Sequence, residues 1–166
     1  MAKKSLEQGF TLIELLVVII IIGILSAIAL PSFLGQAAKA RQSEAKLTVG
    51  SGIKAQNVYY LENQTFTSDC GEMGVGLYKE TPNYKYDLLR SSVKNEPLNE
   101  QIILATPRNK DLRAYIGAVQ VVERSNNPTV VSVLCEAKKP LVELSEKSIV
   151  FGERDVKCSS EAREVR

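Results

Sequence analysis

The chain has 166 residues, 45% of them hydrophobic, and its 21 lysines and arginines nearly balance its 19 aspartates and glutamates. This length predicts one domain plus an anchoring segment, and the near-neutral charge argues against a nucleic-acid partner. Histidine is absent from the sequence, which removes the commonest general base near neutral pH and the commonest transition-metal ligand. We therefore predict no catalytic residue, no metal site and no cofactor.

An apolar stretch runs from Phe10 to Leu30. As a helix rising about 1.5 Å per residue it would span about 31 Å, enough to cross the hydrocarbon core of a bilayer. Its only ionisable side chain is Glu14, and a carboxylate in the middle of a bilayer costs roughly 2.5–3.5 kcal/mol on insertion scales. Glu14 is therefore a candidate functional residue.

Two ordinary interpretations of this N-terminal region compete on the pattern alone. A secretory signal peptide would use Lys3 and Lys4 as its basic region, but its apolar core is about 7–15 residues long and ordinarily lacks a glutamate. A single-pass anchor would let Glu14 reach the lipid headgroups from near the helix start. Basic residues lie on both sides of the span, so the positive-inside rule does not decide the topology.

The helix is predicted to continue as an amphipathic half over residues 31–62, because apolar residues recur there at three- and four-residue steps. Pro31 predicts a bend and Gly23 weakens the helix two turns earlier; a loop at Pro31 is the alternative. Residues 63–82 have the composition of a surface loop, rich in Gly, Asn, Ser and Thr.

Short strands follow, predicted from apolar alternation. They cover residues 84–88, 101–106, 112–123 and 129–136, with a further short strand at 148–151. The turns at residues 107–111 and 124–128 are short and polar, so neighbouring strands should pair antiparallel. Val131, Val133 and Cys135 fall on one strand face and Val130 and Leu134 on the other, which predicts a strand covered on both sides, with the helix as one cover. Residues 161–166 are predicted to form a solvated charged tail.

Three cysteines, Cys70, Cys135 and Cys158, are too widely spaced for the close-set pairs of a zinc site. If the apolar helix exports the rest of the chain, they meet an oxidising compartment in which a disulfide can form. Three pairings are possible, and each leaves one thiol over.

The N-terminal motif resembles that of a type IV prepilin. It consists of a basic leader, a glycine before phenylalanine, a glutamate four positions later and a long apolar helix: Lys3-Lys4, Gly9-Phe10-Thr11-Leu12-Ile13-Glu14-Leu15-Leu16, Gly23 and Pro31. Weaker similarity over residues 40–46 and 59–63 is to the pilin-like proteins of the G and H types. The resemblance implies the pilin fold, an α+β architecture in which a long N-terminal helix packs on a small antiparallel β-sheet.

The resemblance also implies roles for individual residues. A prepilin peptidase would cut after Gly9 and N-methylate Phe10, and Glu14 would make the assembly contact. Gly23 and Pro31 would mark the helix segment that loosens in the filament. Many pilins close a C-terminal loop with a disulfide, which favours Cys135 with Cys158 and leaves Cys70 as a free, partly buried thiol.

We thus expect a leader over residues 1–9, a membrane or filament-core helix over 10–30, its amphipathic continuation over 31–62 and a globular sheet domain over 63–166. The expected function is that of a structural subunit of a type IV pilus, serving motility, adhesion or DNA uptake. The alternatives are a type II secretion pseudopilin and a minor tip subunit that binds a ligand.

The expected partners are further copies of the chain, other pilins, the prepilin peptidase, the assembly platform and, before assembly, the lipid bilayer, with no nucleic acid. The precursor would cross the inner membrane once, N-terminus in the cytoplasm, and end in an extracellular filament.

Overall fold

The computed structural model describes residues 10–74, 79–89, 99–124 and 127–165. One long helix, α1, spans Leu12–Asn63 and includes Pro31, so the predicted helical continuation past Pro31 is confirmed and a loop there is wrong. The helix ends at the predicted place, where Gln64 adopts a left-handed conformation and its N–H bonds the carbonyl of Tyr60 at 2.8 Å. This is a common way to satisfy the last carbonyls of a helix. The chain divides into two units, Met1–Ala37 and Ala38–Arg166.

Among the described residues of the second unit, seven strands follow the helix. They are β1 Tyr84–Leu89, β2 Glu100–Pro107, β3 Tyr115–Arg124, β4 Asn127–Ala137, β5 Ile149–Phe151, β6 Val156–Cys158 and β7 Ala162–Glu164, with a 3-10 turn at Glu146–Ser148 before β5. Five of them form one antiparallel sheet in the order β1-β2-β3-β4-β7, and β5 pairs with β6 separately. The antiparallel α+β architecture predicted from the sequence is therefore confirmed.

The sheet buries both of its faces. One face packs on α1 through residues such as Val49, Ile53 and Val119. The other packs against the C-terminal segments through residues such as Ile116 and Ile149. The predicted division of β4 is confirmed, since Val130 and Leu134 pack on the first face and Val131, Val133 and Cys135 on the second.

Several predictions about the chain's connections are wrong. Pro128, predicted in a turn, lies in β4 opposite Glu123, where it is tolerated because only β3 pairs with that end of the strand. The third predicted strand begins at Tyr115 rather than at residue 112, because Leu112 is buried in the preceding turn and its N–H bonds the carbonyl of Asn109 at 3.1 Å.

The C-terminal segment is not a free charged tail. It forms β7, which pairs with the end of β4. Ala162 is buried and the N–H of Val165 bonds the carbonyl of Leu134 at 2.8 Å. The prediction followed charge alone, whereas the small Ala162 between charged neighbours fits the period-two pattern of a half-buried edge strand. Strand β6 was also not predicted, because its three residues include Lys157, whereas those of β5, which was predicted, are all apolar.

The loop after α1 is only partly a surface loop. Phe66 and Met73 are buried, and the ring of Phe66 lies 5.2 Å from that of Tyr60 between centroids. The side chain of Gln56, itself fully buried, forms two hydrogen bonds with the backbone of Thr67. These contacts hold the described part of the loop against α1.

Candidate functional site

The first turns of α1 form an apolar surface that no described part of the chain covers. Every residue from Phe10 to Leu30 is exposed, although most are large and apolar. Within the described residues, α1 is the one helix whose length and composition would let it cross a membrane, with a mean hydropathy of 3.0 in its most apolar window. So large an exposed apolar patch marks a membrane-binding or protein-binding surface.

Glu14 and Thr11 close the N-terminus of α1 with reciprocal hydrogen bonds. The backbone N–H of Thr11 donates to Oε2 of Glu14 at 2.8 Å, and the Thr11 hydroxyl donates to the same oxygen at 2.7 Å. In return, the backbone N–H of Glu14 donates to the Thr11 hydroxyl at 3.3 Å. This arrangement is a capping box, which satisfies backbone donors at a helix start that otherwise lack partners.

The capping box was not predicted from the sequence, although its signal was present. Threonine followed three residues later by glutamate, just before an apolar run, is the usual pattern for a helix N-terminus. The prediction for Glu14 rested only on the charge of its carboxylate. The structure thus adds Thr11 to the candidate site and gives Glu14 a role within its own chain.

The other N-terminal site residues differ in how far the structure describes them. Phe10 is 87% exposed at the start of the described chain. Gly9, and with it the predicted cleavage junction and the leader, lies outside the described residues. Gly23 has open space around its Cα, and Pro31 is inside the helix. The predicted bend at Pro31 remains a prediction.

A disulfide joins Cys135 in β4 to Cys158 in β6, with their Cα atoms 5.8 Å apart. The bond ties the β5–β6 hairpin to the sheet on the face away from α1. Cys70 is a partly exposed free thiol, and burial is the main cause that raises its pKa. The pairing that the pilin resemblance implied is therefore present.

A charged cluster fixes the C-terminal strand beside this disulfide. Glu136 in β4 accepts hydrogen bonds from Arg113, before β3, and from Arg163 in β7, the latter at 2.6 Å. Partial burial opposes ionisation of Glu136, but the bonds from Arg163 and Arg113 outweigh it and lower its pKa. Glu136 also contributes, after burial, to raising the pKa of Tyr115 to about 12.

The described residues contain no group of three or more Cys, Asp and Glu side chains placed to hold a metal ion. The site that stands out is the N-terminus of α1: an exposed apolar helix with one capped carboxylate near its start. An exposed apolar N-terminal helix joined to an antiparallel sheet domain is typical of proteins that bury such a helix in a bilayer or against other proteins.

The chain belongs to the family described as type IV pilin-like G and H, which matches residues 42–159. Residues 4–30 match the prokaryotic N-terminal methylation motif. The resemblance inferred from the N-terminal residues is thereby confirmed.

Similar proteins are named as type IV major pilins or fimbrial proteins. The chain is 33% identical to the type IV major pilin protein PilE1 of Neisseria gonorrhoeae over 141 residues, which cover 76% of this chain and 84% of that protein. It is 34% identical to a fimbrial protein of Neisseria meningitidis over 60% of this chain and 62% of the relative. It is 43% identical to the type IV major pilin protein PilA of Myxococcus xanthus over 41% of this chain, but only 31% of PilA. The chain thus spans less than two thirds of the last two relatives.

Proposed function

We propose that this protein is a structural subunit of a type IV pilus filament, anchored in a membrane before assembly and packed in the filament core by the first half of α1. The observation that carries the proposal is the uncovered apolar surface of residues 10–30 with Glu14 as its one charge. Membership of the pilin-like family and the major pilins among the relatives support it. The proposal gives the chain a structural role and no catalytic one.

The proposal includes processing at the N-terminus. A prepilin peptidase would cut between Gly9 and Phe10 and methylate the new amino group of Phe10. The match to the methylation motif supports this step. Glycine suits the position because it lets an extended backbone enter a protease cleft without a side chain.

Cleavage would place an ammonium group on Phe10, directly before Thr11, which caps the helix together with Glu14. Thr11 already bonds one carboxylate oxygen of Glu14, and a carboxylate has about four acceptor sites in all. Glu14 can therefore cap its own helix and still accept the ammonium of an incoming subunit. In an apolar filament core, an unpaired charge on either group would be heavily penalised.

The localisation and the remaining partners follow from this assignment. The precursor would cross the inner membrane once with its N-terminus in the cytoplasm, and the assembly platform would move it into an extracellular filament of identical and related subunits. The apolar helix and the pilin relatives support a membrane-anchored precursor and an extracellular pilus.

Two substitutions at Glu14 test the docking role, because they separate capping from charge. Glu14→Val removes both, whereas Glu14→Gln keeps a side chain that can complete a capping box and removes only the charge. If the charge is the docking contact, both variants should persist as monomers in membranes while sheared filaments disappear. Normal filaments from Glu14→Gln would show that capping alone matters and would refute the docking role.

Intact-mass analysis tests the processing. Removal of residues 1–9 from the 166-residue chain leaves 157 residues, beginning with N-methylphenylalanine. Gly9→Val should leave the uncut precursor in the membrane. A retained leader in the unaltered protein would contradict the proposed processing, as would cleavage near Ala29, at the end of the apolar stretch, where a secretory signal peptide would be cut.

A further inference from the structure

A cavity of about 330 Å³ opens between the β2–β3 turn and the segment that follows β4. Its floor is apolar, made by the buried side chains of Leu112, Ala114 and Leu144. Since one water takes about 30 Å³ in the liquid, the cavity has room for a large apolar side chain. None of the contacts proposed for the N-terminal helix uses it.

Leu141 at the edge of this cavity is strained and exposed. Its φ is 68°, in the left-handed region, which is unfavourable for a residue with a side chain. The side chain is nevertheless 70% exposed, so burial within the chain does not offset the strain. A strained residue with an exposed apolar side chain beside a cavity indicates a binding surface.

The rim of the cavity carries two cations, Arg108 and Lys110, and one exposed carboxylate, Glu143. Arg108 bonds Glu80 at 2.5 Å, whereas Lys110 is exposed and forms no ion pair with any residue that the structure describes. Two more exposed lysines, Lys138 and Lys139, precede Leu141 in the chain. The lining thus has two cations against one carboxylate, which favours an occupant that presents an apolar side chain next to an acidic one.

The end of α1 offers this combination. Leu61 is 73% exposed and Val58 is 55% exposed on the same side of the helix, and the exposed Glu62 follows directly. The last turn of α1 contains no basic residue. A carboxylate at a helix C-terminus is unfavourable because the helix dipole is negative there, and a partner's cation would compensate it.

We propose that the cavity receives the last turn of α1 from a second copy of this chain, with Leu61 entering against Leu141 and Glu62 facing Lys110. The inference rests on the proposed filament function and names one of its subunit contacts. The two surfaces differ, so the contact is head-to-tail, and a head-to-tail contact that does not close into a ring produces an open helical polymer.

Cysteine cross-linking in filaments formed by the full-length protein tests the contact. In a Cys70→Ser background, the pair Leu61→Cys and Leu141→Cys should give a ladder of disulfide-linked multimers on oxidation, because each copy links to two neighbours. Either cysteine alone should give no ladder. Leu47→Cys with Leu141→Cys is the matched control, since Leu47 is 70% exposed on the same helix but about 21 Å from Leu61 at 1.5 Å per residue; it should give none.

A charge exchange provides a second, independent test. Glu62→Lys and Lys110→Glu should each lower the yield of sheared filaments by about tenfold or more, because like charges brought together across a contact cost several kcal/mol. The double variant should recover most of that yield. Unchanged yields from both single variants would overturn the contact.

The two proposals can fail separately. If the unaltered chain forms no filament, the proposed function itself is wrong. If filaments form but the Leu61→Cys and Leu141→Cys pair gives no ladder, or gives only a dimer, the head-to-tail contact is wrong and the filament function stands.

Discussion

The buried side chain of Gln56 forms two hydrogen bonds with the backbone of Thr67, eleven residues further along the chain, as a neighbouring strand would do in a sheet. Its amide donates to the carbonyl of Thr67 at 2.7 Å, and its oxygen accepts the N–H of Thr67 at 3.1 Å. Because Thr67 is also buried, water could not replace Gln56 as the hydrogen-bond partner of its N–H and carbonyl groups. The Thr67 hydroxyl in turn donates to Glu72 at 2.6 Å, so this single glutamine orders the start of the loop after α1.

Gln56→Leu should destabilise the protein by about 2–4 kcal/mol, because it leaves two buried backbone groups unpaired. Chemical denaturation of the detergent-purified full-length chain measures the loss. The control is Ser51→Leu, an exposed position on the same helix, which should leave the denaturation midpoint nearly unchanged. A midpoint for Gln56→Leu equal to that of the control would mean that the loop does not depend on this bond pair.

Two glycines should respond to alanine in opposite directions. A Cβ on Gly117 would lie 2.6 Å from Cγ1 of Val49 and 2.8 Å from Cδ1 of Ile53. Val49 has little freedom to move on a helix, so Gly117→Ala should cost about 1–3 kcal/mol through overpacking. Gly50→Ala meets no atom within 4 Å and should stabilise α1 by about 0.5–1 kcal/mol. Thermal unfolding of both variants checks the signs, and a stabilising Gly117→Ala would show that α1 does not pack this tightly on β3.

Glu136→Gln should lower stability at neutral pH by about 1–3 kcal/mol, since it weakens hydrogen bonds to two arginines. The folded protein lowers the pKa of Glu136 below its ordinary value of 4.5. The stabilisation is therefore full above that ordinary value and is lost as pH falls through the lower, folded-state pKa.

The free energies of unfolding of the two proteins should accordingly differ at pH 7 and converge at strongly acidic pH. Glu164→Gln, at an exposed position on β7, is the control and should show little difference at either pH. If the free energy of unfolding of Glu136→Gln stayed below that of the unaltered protein by the same amount down to strongly acidic pH, ionisation of Glu136 could not be the cause of the difference.

Loss of the Cys135–Cys158 disulfide should cost about 2–5 kcal/mol, because the bond restricts the unfolded chain. Replacing both cysteines with alanine, or adding dithiothreitol to the unaltered protein, should lower the denaturation midpoint similarly. The reductant should not affect the double variant. Cys70→Ala should matter far less, since this thiol is free and only partly buried, and an equal loss there would contradict the pairing.

Helices and strands with a regular hydrophobic period could be predicted from sequence, because that period depends only on which side chains of the element itself are buried and which are exposed. Strand β4 illustrates this, since the alternation of its valines predicted which of them share a face, although only the structure assigns one of those faces to α1. Strand β7 shows the limit. Its three residues fit a period of two, but no local pattern indicates that they pair with β4, where Arg163 bonds Glu136, 27 residues earlier in the chain.

The sequence by itself determined the apolar span, its single carboxylate at Glu14 and the local Thr11–Glu14 capping pattern, because these depend on residues within one or two helical turns. Only the tertiary structure decided which side chains meet across the fold. Gln56 forms hydrogen bonds with Thr67, and Glu136 forms ion pairs with two arginines. Leu141 adopts a strained backbone conformation beside the cavity. The physical reason is that such contacts depend on how distant segments pack together, and no local period in the chain records that arrangement.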